Sequence, residues 1–221
     1  MFKRVLIAED HEIANISVVK TLKELGISGT DYVYYCDDAL TWIQKANQSG
    51  QPYDLLITDL SFEEDHHQQK IPDGSSLIQA AKRIQPHLKV LVFSGEHKPA
   101  IIDSLFKELD IDAYVRKARH DAQHLSQAIN AIYNGKKFLS PDLKLSLKEK
   151  NAHNFTDFDI TVISLLAQGT LQKDIPLYLQ QKNIKPSGLS SVEKRLNLMK
   201  EVLDFSKNEQ LVLYCKDMGI I

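Results

Sequence analysis

Along the first part of the chain, short apolar runs alternate with segments whose apolar residues recur every three or four positions. Residues 4–8, 32–35, 53–58, 89–93 and 112–115 read as strands. Between them Val18, Leu22 and Leu25 share one helical face, as do Leu77, Ala81 and Ile84. Ile101, Leu105 and Phe106 mark another helix, and Leu125, Ile129 and Ile132 a last one. Asp37, just ahead of "DALTWIQKA", predicts the N-cap of the helix after the second strand. Five βα units in succession predict an α/β fold, a doubly wound five-stranded parallel sheet covered on both faces.

Near Asn134 and Gly135 the rhythm stops. "NGKKFLSPDLKLSLKEKNAHN" is polar and reads as a connector, and beyond Phe155 only helical patterns follow, carried by Val162, Ile163 and Leu166, by 177–181, by Val192, Leu196, Met199 and Leu203, and by 210–215. The expected organisation is an α/β domain over 1–135, a linker over 136–153 and a small all-α domain over 154–221.

Composition narrows the function classes. At 221 residues with 43% apolar content the chain can build proper cores, and a net charge of −2 speaks against a strongly basic nucleic-acid coat. Cys36 and Cys215 fit no CxxC pattern, so neither a disulfide framework nor a zinc knuckle is signalled. No apolar stretch approaches a membrane span and the start does not read as a signal peptide, so a soluble cytoplasmic protein without a membrane partner is expected.

Chemistry gathers at the strand ends. In an open parallel sheet ligands bind beyond the carboxyl ends of the strands. There the first strand delivers Glu9 and Asp10, the third Asp59, the fourth Ser94 and the fifth Lys117. Three acids so close repel one another unless a cation sits among them, and hard oxygen donors suit Mg²⁺. A carboxylate beside Mg²⁺ and a lysine can attack a phosphoryl group, because the cations neutralise charge on the transferring oxygens. A bare strand-end aspartate is commonly only a helix cap; four matching positions with a lysine favour the pocket.

"VLIAEDH", "LLITDLS", "VLVFSGE" and "DAYVRK" together resemble the receiver domain of two-component response regulators, over roughly residues 1–135. The resemblance implies the flavodoxin-like strand order 2-1-3-4-5 and a set of roles. Asp59 would accept the phosphoryl group from a histidine kinase. Asp10 and Asp59 would bind Mg²⁺ directly, with the Ser61 carbonyl as a third ligand and Glu9 acting through water. Lys117 would pair with the phosphoryl oxygens, while Ser94 would swing toward them and Tyr114 move inward with it. A phosphatase of another α/β family would need a second acid two residues after Asp59, where Ser61 stands, so no enzyme is expected.

Asp59 and Gly74 are fifteen positions apart, where receivers use roughly eight, so the loop carries an insertion. His66 and His67 within it are candidate metal or kinase contacts, but adjacent histidines on an acidic loop read as solvated side chains. His120 and His124, at i and i+4, have helix-face metal spacing without a third ligand, and they too read as surface residues.

"FTDFDITVISLLAQGTLQKDI" resembles the first half of a LuxR-type helix-turn-helix of the NarL/FixJ class, "SSVEKRLNLMKEVL" its recognition helix and "NEQLVLYCKDMGII" its closing helix. The resemblance implies DNA contacts by Ser190, Ser191, Lys194, Arg195 and Asn197, phosphate contacts by Lys173 and Lys200, and a homodimer when phosphorylated. Three departures stand out: Pro176 inside the scaffold helix, a lengthened turn through "QKNIKPSG", and Glu193 where a basic residue is common. From Lys150 onward nine basic residues face eight acids, a net of +1. The alternative expectation is that the helical domain binds a protein partner rather than DNA.

Overall fold

Val5, Leu6, Ile7 and Ala8 are all fully buried, and so are Leu55 and Leu56 and the run Val90, Leu91 and Val92. Strands buried on both faces need no alternation, which is why these segments read as unbroken apolar runs. The computed structural model describes residues 1–63, 69–143 and 155–221, and the chain divides into two compact units. The first unit runs β1 (Arg4–Ala8), α1 (Glu12–Glu24), β2 (Gly29–Val33), α2 (Cys36–Gln48), β3 (Leu55–Thr58), α3 (Gly74–Ile84), β4 (Lys89–Ser94), α4 (Pro99–Glu108), β5 (Ala113–Arg116), α5 (Asp121–Tyr133) and β6 (Phe138–Leu139).

All pairings are parallel, in the order β2-β1-β3-β4-β5-β6. Alternate strand residues serve opposite faces. Leu6, Leu56, Val90 and Val92 pack with Ile43 of α2, Leu77 of α3 and Leu105 of α4. Val5, Ile7, Leu55, Ile57 and Leu91 pack with Leu22 of α1 and Leu125 and Ile129 of α5. Burying each such side chain contributes about 1.5–3 kcal/mol.

Three details differ from the sequence expectation. A sixth strand, the two residues Phe138 and Leu139, extends the five-stranded sheet beside β5, and Leu143 is buried against the same core, so residues placed in the linker pack on this unit. The second strand begins at Gly29 and ends at Val33 rather than spanning 32–35, because it is an edge strand with Tyr32 51% exposed and little apolar signal. Asp37 does not cap α2. The helix starts at Cys36 after Tyr35, and the Asp37 carboxylate instead accepts the backbone N–H of Lys70 (2.8 Å) and Ile71 (3.0 Å).

The second unit holds α6 (Asp157–Ala167), α7 (Ile175–Gln181), α8 (Leu189–Val202) and α9 (Asn208–Asp217). Val162, Ile163, Ile175, Leu179, Val192, Leu196, Met199, Leu211 and Cys215 form its core. Pro176 is harmless there: α7 starts at Ile175, so the proline stands in the first turn, where no intrahelical N–H is needed.

Candidate functional site

The strand order reverses between β1 and β3, and this switch point is where the acids emerge. Ala8 pairs with Thr58, so Glu9 and Asp59 leave the sheet at one level. Ser94 pairs with Arg116, which sets Lys117 one residue beyond, its N–H donating to the Ser94 carbonyl at 2.8 Å.

Lys117 spans the two buried acids. Its Nζ lies 2.5 Å from Asp59 Oδ2, 3.0 Å from Glu9 Oε1 and 2.8 Å from Glu9 Oε2. Glu9 is 2% and Asp59 4% exposed, so both carboxylates depend on this ammonium. Burial pushes the Glu9 pKa up, with Lys117 pulling it only partly back. Burial also pulls Lys117 down, but hydrogen bonds to Asp59 and Glu9 outweigh it and the lysine is held above its ordinary value. The other Asp59 oxygen accepts N–H groups from Leu60 (2.5 Å) and, more weakly, Ser61 (3.4 Å).

Glu9, Asp10, His11 and Asp59 each bring a ligand atom within 4.8 Å of the others, a grouping that fits one cation. His11 Nδ1 stands 2.8 Å from Asp10 Oδ1, and the hydrogen bond and charge of Asp10 raise the histidine's pKa. Asp10 Oδ2 accepts the Glu63 N–H at 2.7 Å, and the Glu63 carboxylate reaches His11 Nε2 at 3.8 Å. Neither His11 nor Glu63 was expected. His11 directly follows Asp10 in the chain and was within reach of inspection; Glu63 was not, because only the folded loop carries it there.

Ser94 is buried, and its Oγ accepts the Glu96 N–H at 3.4 Å. Tyr114 is already fully buried, donating its hydroxyl to the Glu96 carbonyl at 2.7 Å, and burial raises the phenol's pKa. Gly74 closes the loop after β3. Its N–H donates to Leu60 O at 2.9 Å, and a Cβ there would lie 1.9 Å from the Asp59 carbonyl oxygen. Asp73 caps α3 by accepting from Ser76 N at 2.7 Å. The two candidate histidines His66 and His67 lie outside the described residues.

In the second unit Ser190, Lys194 and Asn197 are exposed on α8, Ser191 and Lys200 are half-buried, and Lys173 is exposed in the turn before α7. A groove of about 880 Å³ follows this face, with Phe158 and Pro186 among its walls. Arg195, also expected to face DNA, has a partner within the unit. Its Nε lies 2.5 Å from Asp159 Oδ1 and its Nη2 2.7 Å from Asp159 Oδ2, a two-pronged clamp of α8 onto α6. Asp159 is fully buried and also accepts Thr156 N–H and Oγ1 at 2.8 Å each. Five residues past Ser190, a side chain lies about 140° away around the helix, at the border of the packed side.

No protein-family model matches the chain. Over 176 residues it is 31% identical to the transcriptional regulatory protein RcsB of Escherichia coli K12, an alignment that covers 77% of each chain. The chain belongs to the RcsB-like response regulators of the NarL/FixJ type. Among solved structures, the RcsB response regulator of Salmonella typhimurium, described for its conformational dynamism in DNA interaction, matches this regulator at a TM-score of 0.70 and 25% identity, covering 97% of this chain and 99% of that one. RcsB from Salmonella enterica serovar Typhimurium, bound to promoter rprA in the presence of phosphomimetic BeF3⁻, matches at a TM-score of 0.60 and 26% identity, over 97% and 98%. Among the described residues of the regulator, no helix is long and apolar enough to cross a membrane.

Proposed function

We propose that this response regulator is a phosphorylation-controlled transcription factor of the cytoplasm, with residues 1–135 as the core of its receiver and 154–221 as its DNA-binding output domain. The single observation that carries the receiver half is the bridge from Lys117 to both Asp59 and Glu9, with Asp10 alongside. One Asp59 carboxylate oxygen attacks the phosphorus of a phosphohistidine on a histidine kinase. The phosphorus–nitrogen bond breaks, and the imidazole regains a proton as it leaves. The donor set of hard carboxylate oxygens fits Mg²⁺, which Asp10 and Asp59 would hold with the Ser61 carbonyl, Glu9 acting through water. When bound, Mg²⁺ neutralises charge on the transferring oxygens. Lys117 turns from the carboxylates to the phosphoryl oxygens, and Ser94 hydrogen-bonds them while Tyr114 fills the space beside it.

The new group adds about −1.5 to −2 charges and three acceptors, enough to bias a two-state element. We read the output as docking of α8 in the DNA major groove, with Ser190, Ser191, Lys194 and Asn197 near bases and Lys173 and Lys200 near phosphates, in a homodimer that matches paired half-sites. The structure of a related regulator, RcsB, bound to promoter rprA in the presence of a phosphomimetic supports this reading. A second reading, a protein-binding output domain, is favoured by one observation, the net charge of only +1 from Lys150 onward.

The test is retention of genomic DNA fragments by the full-length protein, with and without beryllofluoride plus Mg²⁺, across a salt series. Specific enrichment that rises with the analogue and falls steeply with salt is expected. Enrichment in neither state overturns the DNA half and leaves the protein-binding reading.

A further inference from the structure

Glu193 is the residue that DNA binding, read simply, cannot use. It is exposed on α8, in the stretch whose side chains would meet base edges, yet it carries the same charge as the phosphates. At about 100° per residue, Glu193, Asn197, Ser190 and Lys194 fall within about 100° of one another on the outward face. Val192, Leu196 and Met199 fill the opposite, buried face. No hydrogen bond or ion pair engages Glu193 among the described residues. The neighbouring guanidinium, Arg195, is spent on Asp159. An unpaired carboxylate on that face weakens generic binding unless a donor meets it.

The major groove supplies such a donor at defined places. Cytosine presents its N4 amino group, which Glu and Asp accept from, while guanine presents O6 and N7, which suit Lys and Arg. From Ser190 to Asn197 the helix rises about 10 Å, the length of roughly three base-pair steps, so these four side chains address a short contiguous stretch of sequence. We propose that Glu193 reads a cytosine in the major groove, with Lys194 on an adjacent guanine, so that the acid serves sequence discrimination at the expense of generic affinity. The inference rests on the reading of α8 as the DNA-contacting helix.

The test is selection from a randomised duplex library by full-length protein with beryllofluoride and Mg²⁺, comparing wild type with Glu193→Ala and Glu193→Gln. Wild type is expected to require cytosine at one position per half-site, with discrimination on the order of tenfold. Glu193→Ala is expected to lose the preference at that position alone and to bind unselected DNA more tightly, with a steeper salt slope. Glu193→Gln is expected to shift the position toward adenine, which a side-chain amide pairs with. If wild type selects a motif and both variants retain the same base at every position, the role of Glu193 falls while DNA binding stands. If wild type selects no sequence, DNA binding itself falls, and this inference with it.

Discussion

Replacing Arg195 by Met, which keeps the aliphatic bulk and removes the charge, is expected to destabilise the second unit rather than merely weaken DNA contact. Asp159 is fully buried, and among the described residues its side chain takes hydrogen bonds from the guanidinium and from Thr156. Removing one partner of a buried pair costs about 3–5 kcal/mol. The Arg195 side chain is 28% exposed, and Thr156 still serves the orphaned carboxylate, so the expected loss is about 2–3 kcal/mol. Arg195 and desolvation act oppositely on Asp159: burial raises its pKa, but Arg195 and Thr156 prevail and hold it below the ordinary value. A carboxylate with a depressed folded pKa contributes stability that is present above its unfolded pKa and lost as pH falls through the folded one. The wild-type advantage over Arg195→Met is therefore expected at neutral pH and to shrink on acidification. The assay is calorimetric unfolding of the full-length protein, following the transition of the second unit in wild type, Arg195→Met, Asp159→Asn and the double variant. The double variant is expected to cost less than the sum of the singles, because it removes the uncompensated charge. A loss for Arg195→Met below about 0.5 kcal/mol, typical of a free surface position, would refute the clamp.

Asp59→Asn is expected to abolish phosphoryl uptake from a small-molecule phosphodonor with Mg²⁺, read by intact mass, without loss of fold; uptake at the wild-type rate would show that another residue is the acceptor. Gly74→Ala is expected to slow phosphorylation and cost about 1–3 kcal/mol, since its Cβ would sit 1.9 Å from the Asp59 carbonyl oxygen, and denaturant unfolding checks it. Lys117→Met leaves Glu9 and Asp59 buried without their cation. Burial already raises Glu9, so its folded-state penalty grows as pH rises through the raised pKa. The variant is expected to lose stability as pH rises from the ordinary carboxylate range through that raised pKa, and to gain more from added Mg²⁺ than wild type in thermal unfolding.

Much of the first unit was legible because its central strands are buried on both faces and announce themselves as apolar runs. The edges were not. β2 shows only Val33 to the core, and β6 is two residues inside a polar stretch, so neither carries a period of its own. The acids of the site were legible because strand ends in a parallel sheet converge regardless of side-chain detail. The contacts of Glu63 depend on how a loop folds back, which no spacing rule encodes. Arg195 reads from its charge as a DNA contact, and nothing in the spacing announces the Asp159 partner it has in the fold. Its phase on the helix, five residues from Ser190, turns it toward the buried Asp159 carboxylate.

Gly74 stands against Asp59 although fifteen positions separate them, so the chain between is a ring closed at a fixed gap. The entropy of closing a ring grows only with the logarithm of its length, about 0.6 kcal/mol per doubling. Lengthening the loop from roughly eight positions to fifteen therefore costs less than a single lost methyl contact in the core. Asp59 is insulated from that change by one missing side chain, which lets the loop lengthen while the carboxylate beneath it keeps its place.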